Sequence, residues 1–500
     1  MVKKMQASKL IKCLRFKKVL PAEYEDFTVS LLTQNTKEVI ENSIFVAVKG
    51  AQFDGHRFVK EAIQAGAKMI IAQERVAIDG VPVVYVENSK RAMAILSSHF
   101  YGNASQALRV IGVTGTNGKT TVTHLIEAIF RAQGEETGLI GTMYRKIGSE
   151  IFPTKNTTPD IITLQRALNK MVERHVSTVA MEVSSIALIQ GRVWGVDFDI
   201  AVFTNLTRDH LDYHKTMANY EHAKSLLFSQ LGNCYTGNGD DKVAVLNIDD
   251  PVGRQFQQDT AAHILTYGIE QPAMIRATDI KIHSQGTDFK LHVFDQVWPI
   301  RVKMIGRFNV YNILAAFAAA YAAGVKSERI ITALSEFSGV KGRMQLITST
   351  TGVSVVVDYS HTPDGLFQAL KTLDEVAQKR VLCVIGCGGD RDHGKRPKMG
   401  EIAVKYSDLA IFTSDNPRTE DPEKIIAAML TGVPGKSEVP VFVKRRAAIN
   451  YAIKQAQPGD VVLIAGKGHE DYQIIGKEKR HFDDVEEATK ALKLKEQADK

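Results

Sequence analysis

Cysteine and long apolar runs are both scarce in this chain of 500 residues. Its four cysteines, at positions 13, 234, 383 and 387, are too few and too scattered for a disulfide framework, and no histidine or cysteine pair completes a zinc site. The longest apolar stretch, Ile313 to Val325, is too short to span a bilayer. Since no signal-peptide core follows the basic residues near the start, we expect a cytoplasmic protein with reduced thiols and no membrane insertion.

The chain also lacks a large excess of positive or negative charge. The chain has 63 Lys and Arg against 56 Asp and Glu, and a net charge of +7 gives little reason to expect a nucleic-acid partner. Hydrophobic residues make up 44% and charged residues 24%, as in ordinary globular proteins, which argues against disorder. At ~150 residues per domain, this length suggests about three domains.

The pattern of strands and helices divides the chain into three blocks, at residues 1–107, 108–341 and 342–500. Strands and helical stretches alternate, which predicts an α/β fold and, in the last block, a doubly wound and mostly parallel sheet. The predicted strands are 44–48, 68–72, 108–113, 178–183, 199–204, 243–247, 353–358, 380–385, 409–413 and 461–465, and the predicted helices include 56–65, 122–131 and 310–323.

A glycine-rich loop, residues 112–121, joins a predicted strand to a predicted helix. Backbone N–H groups of such a loop surround phosphate oxygens, and the helix N-terminus adds a favourable dipole. Lys119 would reach the terminal phosphates, and the Thr120 hydroxyl would ligate Mg²⁺. The common phosphate-loop pattern has a glycine where this chain has Val113, but the loop still predicts a nucleoside triphosphate site.

Polar residues follow two other strands of the middle block. Glu182 ends the strand at 178–183, where a carboxylate can hold Mg²⁺ beside phosphates, and residues 205–214 bring oxygen and imidazole groups to the end of the next strand. Either segment alone is more typical of a polar strand end than of a metal site. With a phosphate loop upstream, we favour magnesium binding.

A series of ordered motifs resembles those of the Mur ligase family of peptidoglycan synthesis, and within it the type that adds the third residue of the stem peptide. The resemblance covers nearly all 500 residues and implies a UDP-sugar-binding N-terminal domain, a central ATP-binding P-loop domain and a Rossmann-like, amino-acid-binding C-terminal domain. The motifs lie at 115–121, 156–159, 182–185, 205–210, 222–226, 306–312, 342–344, 358–362, 388–392, 415–418 and 466–470.

The resemblance implies an ATP-dependent amide ligase. The carboxylate of UDP-N-acetylmuramoyl-L-alanyl-D-glutamate would become an acyl phosphate, from which an incoming amine displaces phosphate. A carboxylate is a poor acyl donor, and cations must bring the two anionic reactants together. The family assigns catalysis to Lys119, Lys224, His210 and Arg343, and the binding of Mg²⁺ to Thr120, Glu182, His210 and Lys224. Lys224 would be carbamylated, although the sequence alone places it on a helix surface.

The resemblance also assigns ligand contacts. Those for ATP are Gly115, Thr116, Asn117, Gly118, Lys119, Thr120, Thr121, Asn309, Arg343 and Asp358. Those for the UDP-sugar are Thr36, Gln52, Asn156, Thr157, Thr158, Ser184, Gln190 and Arg192. Those for the amino acid are Arg391, Asp415, Asn416, Pro417, Arg418, Gly466 and Glu470.

Arg418 points to the identity of the amino acid. A planar guanidinium binds a carboxylate with two hydrogen bonds, and meso-diaminopimelate carries a distal carboxylate that lysine lacks. Glu470 would pair with the distal ammonium. We therefore expect meso-diaminopimelate as the amino acid, and we expect a monomer.

Some positions depart from the family pattern. Asn35-Thr36-Lys37 stands where the family has Asp-Ser-Arg, Ile186 where it has histidine, and Lys215 where it has glycine. These departures leave open a related ligase with another amino acid, such as L-lysine, or with another acceptor. The sequence also leaves open a folylpolyglutamate-synthetase-like enzyme and a non-catalytic binding homologue, and a phosphate-release assay separates them.

Overall fold

The computed structural model describes residues 5–50, 54–235, 241–283, 285–347, 349–433, 435 and 438–498. Within these ranges no helix combines the length and apolar character that crossing a bilayer requires. The chain forms two compact units, residues 1–112, 133–201 and 234–242 in the first and residues 113–132, 202–233 and 243–500 in the second.

The N-terminal block is built on a five-stranded sheet in the order β2-β7-β6-β5-β4, in which β4 to β7 are parallel and β2 is antiparallel. The predicted helix at 56–65 is shorter than expected, because a 3-10 turn, Gly55–Phe58, precedes it. The elements are β1 (Met5–Gln6), α1 (Ala7–Ile11), β2 (Lys18–Leu20), β3 (Thr28–Val29), β4 (Leu31–Thr33), β5 (Ser43–Val46), α2 (Val59–Gln64), β6 (Ala67–Ala72), β7 (Val83–Tyr85) and α3 (Ser89–Phe100).

The middle block contains the phosphate loop, between its first strand and first helix. Its elements are β8 (Arg109–Thr114), α4 (Lys119–Ala132), β9 (Thr137–Ile140), β10 (Arg145–Ile147), β11 (Glu150–Phe152), α5 (Ile161–Glu173), β12 (Thr178–Glu182), α6 (Ser185–Ile189), β13 (Ile200–Phe203), α7 (Leu211–His214), α8 (Met217–Ser229), β14 (Val243–Asn247), α9 (Pro251–Asp259), β15 (His263–Gly268), β16 (Ile275–His283), β17 (Gly286–Val293), β18 (Gln296–Val302), α10 (Arg307–Ala322) and α11 (Ser327–Glu336).

Strand pairing in this block differs between the two units. In the first unit β9 pairs with β12 in parallel and with β10 in antiparallel fashion. In the second unit β14, β15 and β16 are parallel neighbours, and β16, β17 and β18 form an antiparallel meander. The sequence pattern did not predict this meander, because β16 and β18 are largely unburied and carry no continuous apolar run.

The C-terminal block has a six-stranded sheet in the order β19-β20-β24-β21-β22-β23, parallel except for the edge strand β19. Two separate apolar cores contain residues of its strands, and α12 to α14 contribute to one core while α15 and α16 contribute to the other, as in a doubly wound fold. The elements are β19 (Gln345–Ile347), β20 (Ser354–Asp358), α12 (Pro363–Val376), β21 (Val381–Ile385), α13 (Arg396–Lys405), β22 (Leu409–Thr413), α14 (Pro422–Leu430), β23 (Val441–Phe442), α15 (Arg445–Gln455), β24 (Val461–Ala465), β25 (Tyr472–Ile475), β26 (Glu478–His481) and α16 (Asp484–Ala498).

Candidate active site

The phosphate loop lies between β8 and α4, at the N-terminus of a 14-residue helix. The Nζ atom of Lys119 donates to the carbonyl oxygens of Gly115 at 2.9 Å and Thr116 at 2.8 Å. Gly118 has a φ of +90°, and a Cβ there would lie 2.4 Å from the Asn312 side chain, so the loop can follow this path only with glycine at this position.

Side chains from neighbouring segments of the second unit hold the loop in place. The Asn117 N–H donates to the side-chain oxygen of Asn205 at 2.9 Å, and the Thr204 hydroxyl donates to the carbonyl of Asn117 at 2.6 Å. The Asn117 amide in turn donates to Asp364 of α12 at 3.0 Å. A loop fixed by so many outside contacts keeps one conformation without further ordering, which favours phosphate binding.

Lys224 is buried, with 1% of its surface exposed, although its helix pattern suggested a surface position. Its Nζ donates to the Gly115 carbonyl at 2.8 Å and lies 4.6 Å from the centre of the Tyr220 ring. Burial first, and then the charge of Lys119, hold the pKa of Lys224 well below its usual value. A lowered pKa favours the neutral amine, which is the form that reacts with CO₂.

His210 follows β13 and adopts a left-handed backbone with a φ of +54°. Burial lowers the pKa of His210, and the charges of Lys119 and Lys224 lower it further, against the opposing effect of Asp209 at 3.4 Å. A lowered pKa favours the neutral ring, which is the form that ligates a metal. Of the other predicted magnesium residues, Thr120 and Lys224 also belong to the second unit, whereas Glu182 belongs to the first.

The Glu182 carboxylate is fully buried at the end of β12. It accepts hydrogen bonds from the N–H and hydroxyl of Thr142, at 2.8 and 2.9 Å. A carboxylate is a ligand type that a magnesium ion accepts, so the chemistry of Glu182 by itself is compatible with the predicted role.

Arg343 connects the C-terminal block to the phosphate loop. Its guanidinium donates to the Thr120 hydroxyl at 3.0 Å, and its carbon Cζ lies 4.5 Å from the centre of the Tyr359 ring. The preceding Gly342 has a φ of +66°, and a Cβ there would lie 2.1 Å from the backbone nitrogen of His469. The Arg343 segment thus packs directly on the 466–470 loop.

The other predicted nucleotide residues are held by local contacts. Asp358 ends β20 and accepts the N–H of Met344 at 2.8 Å and the hydroxyl of Ser360. Asn309 in α10 donates to the Ile305 carbonyl at 2.8 Å.

A buried polar cluster forms where β22 and β24 end. The Asn416 amide donates to Glu470 at 2.7 Å, and Nζ of Lys467 donates to both Glu470 and Asn416 at 3.2 Å. Asp415 lies 3.8 Å from the same Nζ. Burial, and then the charge of Asp415, raise the pKa of Glu470.

Lys467 was missed as an individual site residue in the sequence analysis. It is fully buried, and its location between two glycines directly after a buried strand was the available signal. The neighbouring Gly466 has a φ of +111°, and a Cβ there would lie 2.6 Å from the carboxylate of Asp415. This loop therefore requires glycine so that the cluster can close.

The predicted substrate arginines lie on adjacent loops. Arg418 has a φ of +53°, and its guanidinium donates to the Gly389 carbonyl at 2.7 Å. The more exposed Arg391 donates to the Asp390 carbonyl at 2.9 Å. A Cβ at Gly389 would lie 1.9 Å from the carbonyl oxygen of Pro417, so the two loops are in direct contact.

Five of the predicted UDP-sugar residues form a connected group in the first unit. Thr158 donates to the Glu182 carbonyl at 2.9 Å and to the Ser184 hydroxyl at 3.3 Å, and the Arg192 guanidinium donates to Thr158 and Gln190. The Thr157 hydroxyl lies 3.1 Å from that of Thr142.

The remaining members of that set are placed differently. The Asn156 carbonyl accepts a hydrogen bond from the Thr154 hydroxyl at 2.7 Å. Thr36 begins a separate 3-10 turn, Thr36–Glu38, that is capped by Asn35. Gln52 lies outside the described residues.

The fold and the phosphate loop together define a nucleotide-dependent α/β enzyme with a Rossmann-like C-terminal domain. Family models match three segments: "Mur ligase family, catalytic domain" at 28–101, "Mur ligase middle domain" at 113–320 and "Mur ligase, glutamate ligase domain" at 342–468. The chain belongs to the Mur ligase family and has its three-domain architecture. The predicted family, fold class and ligase activity are thereby confirmed.

Relatives match along the whole length. The UDP-N-acetylmuramoyl-L-alanyl-D-glutamate–2,6-diaminopimelate ligase of Lactiplantibacillus plantarum is 62% identical over 491 residues, which cover 98% of this chain and 99% of the relative. The ligase of the same name from Listeria monocytogenes is 52% identical, covering 94% and 96%. A solved structure of a ligase with that name superposes with a TM-score of 0.68 at 33% identity, covering 99% of this chain and all of the other.

Proposed function

We propose that this chain joins meso-diaminopimelate to UDP-N-acetylmuramoyl-L-alanyl-D-glutamate, with conversion of ATP to ADP and phosphate, as a step of peptidoglycan precursor synthesis. The observation that carries this proposal is the similarity, over 98% of the chain, to a ligase named for this reaction. The phosphate loop, the buried Lys224 and the charged cluster at 415–470 supply the groups that the chemistry needs.

The reaction proceeds in two steps. A carboxylate oxygen of the acceptor attacks the γ-phosphorus of ATP, so that an acyl phosphate forms and ADP leaves. The amine of the amino acid then attacks the acyl carbon, loses a proton and displaces phosphate. Lys119 and Arg343 stabilise the negative charge on the phosphates, and the N–H groups of the phosphate loop orient them.

Magnesium is the cofactor that we propose, with Thr120, Glu182, His210 and Lys224 as its protein environment. When bound, it would neutralise phosphate charge and hold the nucleotide. The neutral His210 ring and the buried Glu182 carboxylate are suited to this role.

We assign Lys224 as a carbamate. Its neutral amine adds CO₂ and loses a proton, so that an anion forms next to the phosphate loop. Burial and then the charge of Lys119 disfavour protonation of the free amine, and the same charge of Lys119 attracts the carbamate.

The substrates are divided among three domains with boundaries at 107/108 and 341/342. Residues 156–158, 184, 190 and 192, with Thr36 and Gln52, bind the UDP-sugar. Arg391, Arg418 and the cluster of Asp415, Asn416 and Glu470 bind the amino acid. The enzyme acts as a monomer in the cytoplasm, and light scattering on the purified protein tests its oligomeric state.

A coupled assay tests the whole proposal. ADP should be released only when ATP, UDP-N-acetylmuramoyl-dipeptide and diaminopimelate are all present, and mass spectrometry should detect the tripeptide product. Release of ADP that neither the acceptor nor the amino acid affects would contradict it. Turnover with L-lysine but not with diaminopimelate would support the ligase activity and show that lysine is the amino acid.

A further inference from the structure

The loops that follow β21 and β22 are connected by hydrogen bonds. Because these strands are parallel neighbours, both loops leave the same edge of the sheet. The Gly389 N–H donates to the Asn416 carbonyl at 2.9 Å, and the Thr419 hydroxyl donates to the Asp390 carboxylate at 2.8 Å. Each loop carries one of the arginines assigned to the amino acid.

A bidentate ion pair lies underneath this junction. Two nitrogens of the Arg396 guanidinium donate to the two Glu420 oxygens, at 2.8 and 2.9 Å, and one of them also reaches the Gly388 carbonyl at 3.3 Å. Glu420 in addition accepts the N–H of Asp390 and lies 3.3 Å from the His393 ring. The Arg396 side chain is only 4% exposed and that of Glu420 is 22% exposed, so the guanidinium half of the pair is shielded from water.

The backbone at the junction needs such support. Arg418 and Asp390 both have a φ of +53°, in the left-handed region that residues other than glycine rarely adopt. Conformations of this kind persist when the surroundings fix them, and they concentrate at functional sites. Glu420 contacts Asp390 directly and lies two residues after Arg418, so it can hold both turns.

We propose that Glu420 and Arg396 are positioning residues that hold Arg418 and Arg391 in the geometry that binds the distal carboxylate of the amino acid. The inference rests on the proposed function, since it needs an amino acid with such a carboxylate. The pair does not touch the reacting atoms. It fixes where the loops place the two guanidinium groups.

Steady-state kinetics of Glu420→Gln test the assignment. The amide keeps the shape of the side chain but loses the ion pair. The KM for diaminopimelate should rise by about tenfold or more, because a displacement of roughly 1 Å in a binding group can cost up to about a hundredfold. The kcat and the KM for ATP should change by less than about threefold, since neither depends on the distal carboxylate.

A matched control distinguishes positioning from general stability. Asp460→Asn removes another paired carboxylate, whose Oδ2 accepts hydrogen bonds from two guanidinium nitrogens of Arg380, at the N-terminal ends of β21 and β24. It should lower Tm without changing the KM for diaminopimelate or the preference for diaminopimelate over lysine. Arg396→Lys keeps the charge but not the double hydrogen bond, and it should raise the same KM less than Glu420→Gln does.

Two outcomes would overturn the inference. One is a lower Tm in Glu420→Gln with an unchanged KM for diaminopimelate, which would make the pair purely structural. The other outcome is needed if Glu420→Gln does not fold. In that case an unchanged KM for diaminopimelate in Arg396→Lys would overturn the inference. A wild-type enzyme that does not use diaminopimelate contradicts the proposed function instead, so the two failures are separable.

Discussion

Two buried lysines of the second unit have opposite surroundings. Lys224, beside the phosphate loop, bonds a carbonyl oxygen and is repelled by Lys119. Lys467, in the amino-acid cluster, bonds Glu470 and lies 3.8 Å from Asp415. The first region is lined by amines, so we expect affinity there to depend on the charge of a ligand or of a carbamate. The second already has carboxylates beside its lysine, so we expect selectivity there to depend on geometry.

Removing Lys119 should produce the largest effect and test the first half of this contrast. Loss of a group that stabilises transition-state charge costs about a thousandfold in kcat. Lys119→Ala should reduce ADP release by about that factor while shifting Tm by only about 2 °C, since the lysine is the first residue of α4 and belongs to no apolar core. Lys371→Ala, at an exposed position in α12, is the control and should leave both unchanged. Substantial activity in Lys119→Ala would mean that the loop does not bind the phosphates.

Lys224→Ala should have the next largest effect, with a loss of about a hundredfold or more, as expected when a group at a metal site is removed. Short carboxylic acids should restore part of the activity, because a carboxylate can replace the missing carbamate. Intact-mass measurement of the wild type in bicarbonate should show addition of CO₂. Wild-type activity in Lys224→Ala would contradict the assignment of Lys224 as a carbamate.

Arg418→Ala tests the second half of the contrast. Removing one member of a buried charged pair costs roughly 2–5 kcal/mol, so kcat/KM for diaminopimelate should fall by about thirtyfold or more. Lysine has no distal carboxylate and should lose much less. Comparing both amino acids in wild type and mutant decides the matter. Equal losses, or a wild type that prefers lysine, would show that Arg418 does not recognise that carboxylate.

The smallest expected effect concerns acid stability. The pKa of Glu420 is lowered to about 2, first by its hydrogen bond with Arg396. A depressed carboxyl pKa stabilises the fold above the unfolded value of about 4.3, and this contribution is lost as pH falls towards the folded value. The stability deficit of Glu420→Gln should therefore be constant near pH 7 and shrink below about pH 4. Urea denaturation at several pH values measures it, and a deficit independent of pH would refute the charge-based explanation.

Local pattern was sufficient for the central buried strands of the fold. The strands predicted at 353–358, 380–385 and 409–413 are found at Ser354–Asp358, Val381–Ile385 and Leu409–Thr413, because buried parallel strands are continuous apolar runs. The phosphate loop could also be predicted from the sequence, since the glycine spacing and the following helix are local features.

Non-local contacts account for what the sequence left out. The burial of Lys224 depends on the Gly115 carbonyl, 109 positions away in the chain. The ion pair of Lys467 with Glu470 is local, but its contacts to Asp415 and Asn416 come from another strand end. No periodicity within one helix or loop contains that information.

The packing of Gly342 on the loop at 466–470 leaves no room for a β-carbon between the two backbones. Arg343, which contacts Thr120, is attached to one backbone, and Glu470, which contacts Asn416, is attached to the other. A side chain at position 342 would therefore displace both the arginine beside the phosphate loop and the polar cluster of Asp415, Asn416 and Glu470.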